Sequence, residues 1–69
     1  MSIAMTWRVT DVPDHPDMSW GVWELETTDA VVWGVFECYE DDTRWTLNTW
    51  FDTRNEAIYF VESWIEDNQ

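Results

Sequence analysis

The stretch that decides the fold is residues 44–67, RWTLNTWFDTRNEAIYFVESWIED, in which one hydrophobic period gives way to another. From Arg44 to Phe51 apolar and polar residues alternate, the signature of a half-buried strand, with Trp45, Leu47 and Phe51 inward and Thr46, Asn48 and Trp50 outward. Further on, Ala57, Ile58, Val61, Trp64 and Ile65 repeat at the spacing of one helix face, and Glu56, Glu62 and Glu66 lie away from its centre. Between the two, Thr53 and Glu56 fit a capping box, in which each side chain satisfies a free backbone donor of the first turn. The pattern predicts a strand over 44–51 and a helix over about 53–67.

Working back towards the N-terminus, alternation recurs three times. Met5, Trp7 and Val9 alternate with Thr6, Arg8 and Thr10, predicting a strand over 5–10. The segment from Asp11 to Met18, with Pro13, Pro16 and three aspartates, suits a loop rather than a helix or a central strand. A second strand over 19–26 sets Trp23 and Leu25 on one face and Trp20, Val22, Glu24 and Glu26 on the other. A third, over 30–40, is apolar on both faces at first, as expected mid-sheet. Because Glu37 is in phase with Val31, Trp33 and Val35, that face is read as outer, and Val32, Phe36 and Cys38 as inner. Short turns at Thr27–Asp29 and Asp41–Thr43 join these strands. The expected fold is α+β, a single domain over residues 1–69 in which a four-stranded antiparallel meander carries one C-terminal helix on one face (ββββα).

Composition narrows the function. The 69 residues include 15 Asp plus Glu, three Arg, no Lys and seven Trp, for a net charge of −12. So few cations argue against direct nucleic-acid binding, which rests on Lys and Arg neutralising phosphates. No apolar run is long enough to span a bilayer, and acidic surfaces are repelled by anionic headgroups, so no membrane role is expected. With one cysteine and no secretory pattern at the N-terminus, the chain reads as cytoplasmic. Such a surface would attract something basic.

In a meander the first and third connections share an end, and the helix returns to it. That geometry gathers Asp11, Asp14 and Asp17, then Glu40, Asp41 and Asp42, then Glu66 and Asp67. Like charges repel there, and carboxylates oppose the dipole of a helix C-terminus. Acids in turns are ordinarily just solvated; only the ensemble points to a partner. A chain of this size is roughly 28 Å across, and B-DNA of that length carries about 16 phosphates, a comparable charge density. The expected outer face adds Trp20, Trp33 and Trp50, rimmed by Glu24, Glu26 and Glu37, as a contact surface for a partner with a basic rim. The alternative is that these tryptophans complete the core or a homodimer.

Catalytic patterns are sparse. His15, between Pro13 and Pro16 and near Asp14 and Asp17, could join a metal site, but such a set arises by chance in any acidic loop. Cys38 reads as a small core hydrophobe, and there is no lysine, glycine-rich phosphate loop or nucleophile motif. No enzyme, cofactor or metal is expected.

In its small size, acid-rich turns (Asp11 to Asp17, Glu40 to Asp42), lack of lysine and sheet-plus-helix body, the chain resembles the small acidic anti-CRISPR proteins that phages and mobile elements direct against type I systems. The resemblance implies an inhibitor that occupies the basic DNA-binding or PAM-reading surface of a CRISPR effector, acting as a DNA mimic. The competing expectation is an interaction or homodimerisation domain whose acidity reflects a salt-adapted host.

Overall fold

The computed structural model describes residues 5–10, 12–42 and 44–68. Four strands, β1 (Met5–Val9), β2 (Met18–Glu26), β3 (Val31–Tyr39) and β4 (Thr46–Phe51), precede one helix, α1 (Arg54–Asp67). The strands form one antiparallel sheet in the order β1-β2-β3-β4, so the chain is a ββββα fold of the α+β class. The alternation that marks each strand and the short connections between them favour this order, since neighbours in sequence pair without crossovers.

The helix begins where its chemistry dictates. Thr53 takes extended dihedrals, and its Oγ1 accepts the Glu56 backbone N–H at 3.2 Å while donating to Glu56 Oε1 at 2.9 Å. From there α1 crosses one face of the sheet. Its Arg54 Nη2 donates to the Thr6 carbonyl at 3.2 Å, and its last turn reaches the β1–β2 loop. Ala57 and Val61 are buried against Trp20, Val22 and Val35, with Val12 and Met18 closing the core from the loop side. Trp20 lies edge-on to Phe60 and tilted against Trp64, with ring centroids 6.4 Å and 5.2 Å apart.

The two faces of the sheet are exchanged relative to the reading from the pattern. Trp20, Val22, Trp33 and Val35, expected outward, lie under α1, and Trp20 is only 1% exposed. Trp23, Leu25, Val32, Phe36 and Cys38, expected inward, share the uncovered face with Trp45 and Leu47. Glu37 misled the assignment. It does lie on the helix-covered side, but near the end of β3, where it stays half-exposed and its Oε2 accepts from Asn48 Nδ2 at 3.3 Å. In β4 the register steps from Val35↔Thr49 to Phe36↔Leu47, leaving Asn48 as an extra, bulged residue. The bulge inverts the phase within the strand, so Trp45, Leu47 and Trp50 all face away from α1 while Phe51 packs on Phe60.

Two glycines show why the uncovered face looks as it does. Gly21 pairs with Phe36 and Gly34 with Trp23, so each aromatic stands across from a missing side chain. A Cβ on Gly21 would lie 2.7 Å from the Trp23 ring, and one on Gly34 2.7 Å from Leu25 Cδ1 and 2.8 Å from Phe36 Cε1. Large side chains lie down over bare backbone and make a sheet of aromatic surface without a second helix. Trp23 meets Phe36 and Trp45 edge to face at 4.9 Å and 5.0 Å, and the Arg8 guanidinium sits 5.7 Å from the Trp45 ring.

Candidate acidic interaction surface

Three segments meet at one end of the molecule, and specific bonds hold them there. The Glu40 N–H donates to the Asp17 carbonyl at 2.7 Å, continuing the β2–β3 ladder beyond the Met18↔Tyr39 pair and fastening the β1–β2 loop to the β3–β4 turn. The loop is itself folded tightly: the His15 N–H donates to the Val12 carbonyl and the Met18 N–H to the His15 carbonyl, each at 3.1 Å. Val12 and Met18, each 3% exposed, anchor its flanks in the core and leave Asp14 and Asp17 in solvent. Asp14 has a φ of 63°, a left-handed conformation that Asp tolerates better than most residues.

His15 joins the helix to this assembly. Its ring lies 5.2 Å from the Trp64 ring, and its Nε2 lies 3.2 Å from the Asn68 carbonyl, to which it donates in the Nε2–H tautomer. The last turn of α1, with Glu66 and Asp67 exposed and no basic residue, is thereby brought beside the loop. Sequence reasoning weighed His15 only as a metal ligand and missed this positioning role; a histidine between prolines, opposite a C-terminal helix carrying Trp64, was the available sign. Among the described residues no cluster of three or more His, Cys, Asp or Glu side chains is arranged to hold a metal ion.

The end therefore carries Asp14, Asp17, Glu40, Asp41, Asp42, Glu66 and Asp67, all exposed. Glu37 lies close by. Tyr39 is pushed above its ordinary value of 10.0 by partial desolvation first, and then by the Glu37 and Asp17 carboxylates, which penalise a phenolate in their midst. Against these acids stands one ion pair among the described residues, Arg44 Nε to Asp42 Oδ1 at 3.7 Å, and it is exposed enough to contribute little. The Arg44 N–H also donates to Asp42 Oδ1, at 3.0 Å.

Other expected site residues are placed differently. Glu24 and Glu26 lie near the opposite end, paired with Trp33 and Val31. Trp20 is buried under α1 and cannot anchor a partner, Trp33 is half-buried against the same core, and Trp50, 61% exposed, is the most open of the three. Asp11 and Thr43 lie outside the described residues. Cys38 is half-buried on the uncovered face rather than in the core, with its Sγ donating to the Asp42 carbonyl at 3.3 Å.

Comparison with protein-family models, with curated proteins and with solved structures returns no match to this chain. Among the described residues no helix is long and apolar enough to cross a membrane.

Proposed function

We propose that this protein is a non-enzymatic inhibitor that presents DNA-like charge to a basic DNA-binding surface, with the DNA-binding or PAM-reading surface of a CRISPR effector as the target class that its resemblance to anti-CRISPR proteins suggests. One observation carries the reading. Three separate segments are bonded together so that seven exposed carboxylates converge on one end, where a single arginine answers them. Apart from the turn bond that Asp42 accepts from Arg44 and the left-handed turn at Asp14, folding gains little from that arrangement: like charges repel, and Glu66 and Asp67 oppose the helix dipole. A basic groove shaped for phosphates gains from it, because the backbone segments that carry the anions are already bonded together and only their side chains need be ordered on binding.

The test is competition. Binding to the target's basic surface should be displaced by duplex DNA and weaken steeply with salt, as exposed charge attraction is screened over ~8 Å at physiological ionic strength. Converting the seven acids to Asn or Gln should abolish inhibition with the fold retained; undiminished inhibition sinks the proposal.

A second reading has its own support. Glu24, Glu26, Asp29, Asp52 and Glu56 lie towards the opposite end, so acidity is not confined to one pole. A salt-adapted interaction domain would carry acids in this way, and it would lose its fold at low salt and recover it in molar salt.

A further inference from the structure

We propose that the uncovered face of the sheet is a self-association surface through which two copies of this chain pack face to face. The partition of charge carries the argument. The sheet positions that point away from α1 include no Asp or Glu, and their one charged residue, Arg8, lies against Trp45. All fourteen acids among the described residues sit on the helix-covered side, on α1 or in the connections. In a chain of net charge −12, this is the surface that two copies can join without setting carboxylates against each other. A basic partner has no electrostatic reason to settle there, since its attraction is to the ends. A second copy has an apolar reason, and a core depleted of charge and rich in aromatics is the usual make-up of an interface centre.

Shape agrees, and the area sets the strength of the pairing. Trp23 and Phe36 lie over Gly21 and Gly34 rather than standing upright, which levels the middle of the face. Leu47 and Trp50 remain 44% and 61% exposed beside it. The 29 strand residues, at ~3.3 Å rise and ~4.8 Å strand spacing, give a face of roughly 450 Å², so two copies bury about 900 Å², the size of a weak, reversible pair rather than of an obligate dimer. An isologous pair would match the face with itself about a two-fold axis.

The salt dependence is opposite in sign to that of the acidic end. Pairing brings two negatively charged bodies together, so added salt should tighten the dimer, whereas it loosens binding to a basic partner. The inference thus stands or falls independently of the proposed function.

Sedimentation equilibrium of the full chain between about 0.05 M and about 0.5 M NaCl should show a monomer–dimer equilibrium whose dissociation constant falls by about tenfold as screening grows. Leu47→Asp, on the open face, should leave a monomer with native circular dichroism. Tyr59→Asp, at the most exposed apolar residue of the helix layer, should dimerise as before. If Leu47→Asp fails to fold, the wild-type chain still decides: on dilution the indole N–H resonances of Trp23, Trp45 and Trp50 should move while those of Trp20, Trp33 and Trp64 stay. A chain that remains monomeric at every salt, a dimer abolished by Tyr59→Asp and kept in Leu47→Asp, or dilution shifts confined to the helix-side tryptophans would overturn the proposal.

Discussion

Truncating Trp20 to alanine tests the packing that fixes which face of the sheet is free. The side chain is 1% exposed and wedged between Phe60 and Trp64. Removing it exposes or empties ~150–250 Å², worth about 4–6 kcal/mol at ~25 cal/mol per Å², in line with the ~3–5 kcal/mol typical of such truncations. One term opposes the loss. Trp20 Nε1 is buried with no hydrogen-bond acceptor among the described residues, and deleting an unsatisfied donor returns ~1–3 kcal/mol. The net cost should be about 3 kcal/mol or somewhat more, a large share of the ~3.5–10 kcal/mol expected of a domain this size. Trp20→Phe keeps a ring in place and sheds the orphan N–H, so it should cost less than ~1.5 kcal/mol. Trp50→Ala, at a residue 61% exposed, should cost under ~1 kcal/mol. Urea denaturation followed by far-ultraviolet circular dichroism measures all three. Equal losses for Trp20→Ala and Trp50→Ala would refute the assignment of faces.

Thr53→Ala removes the Oγ1 that accepts the Glu56 N–H and donates to the Glu56 carboxylate, and should cost ~1 kcal/mol, lowering Tm by ~4–8 °C in a thermal melt. Gly34→Ala should destabilise by ~1–3 kcal/mol despite alanine's lower backbone entropy, because the new Cβ meets Leu25 and Phe36, the latter held by Trp23; an unchanged urea midpoint would show that the face can yield. Tyr39 should ionise above its ordinary value of 10.0 in an ultraviolet titration, and Glu37→Gln should bring it down. Since folding raises this value, the associated stability is intact below about pH 10 and is lost as pH rises through the folded value; a Tyr39 midpoint at or below 10.0 contradicts the packing of Asp17 and Glu37 around it.

Much of the architecture was legible because periodicity reports burial directly. The strands, their order and the capped helix all follow from alternation, a 3.6-residue repeat and the Thr53–Glu56 pair. Which face the helix covers was not legible, for three physical reasons. The third strand is apolar on both sides, so its choice of face rested on Glu37, in line with Glu24 and Glu26 on the second strand, and all three sit towards strand ends where a carboxylate can stay hydrated. The bulge at Asn48 is invisible to a strict two-residue period. Gly21 and Gly34 held the missing signal, since glycines paired with Phe36 and Trp23 mark a face where aromatics lie flat on the backbone and no helix is needed. The gathering of acids at one end was legible because it depends only on the order of strands and the direction of α1. The bonds that fasten it were not, since the Glu40–Asp17 and His15–Asn68 contacts join residues far apart in sequence.

The central claim is that the pole holding Asp14, Asp17, Glu40, Asp41, Asp42, Glu66 and Asp67 acts as a substitute for DNA. The most direct measurement places the wild-type chain, a variant with those seven acids made Asn or Gln, and a variant with Glu24, Glu26, Asp29, Asp52 and Glu56 so changed in parallel capture from bacterial lysate, with elution by duplex DNA. The account predicts a DNA-binding protein held by the wild type and by the second variant, released by duplex, and absent from the first. Equal retention by all three chains, or retention that duplex DNA does not disturb, would contradict it.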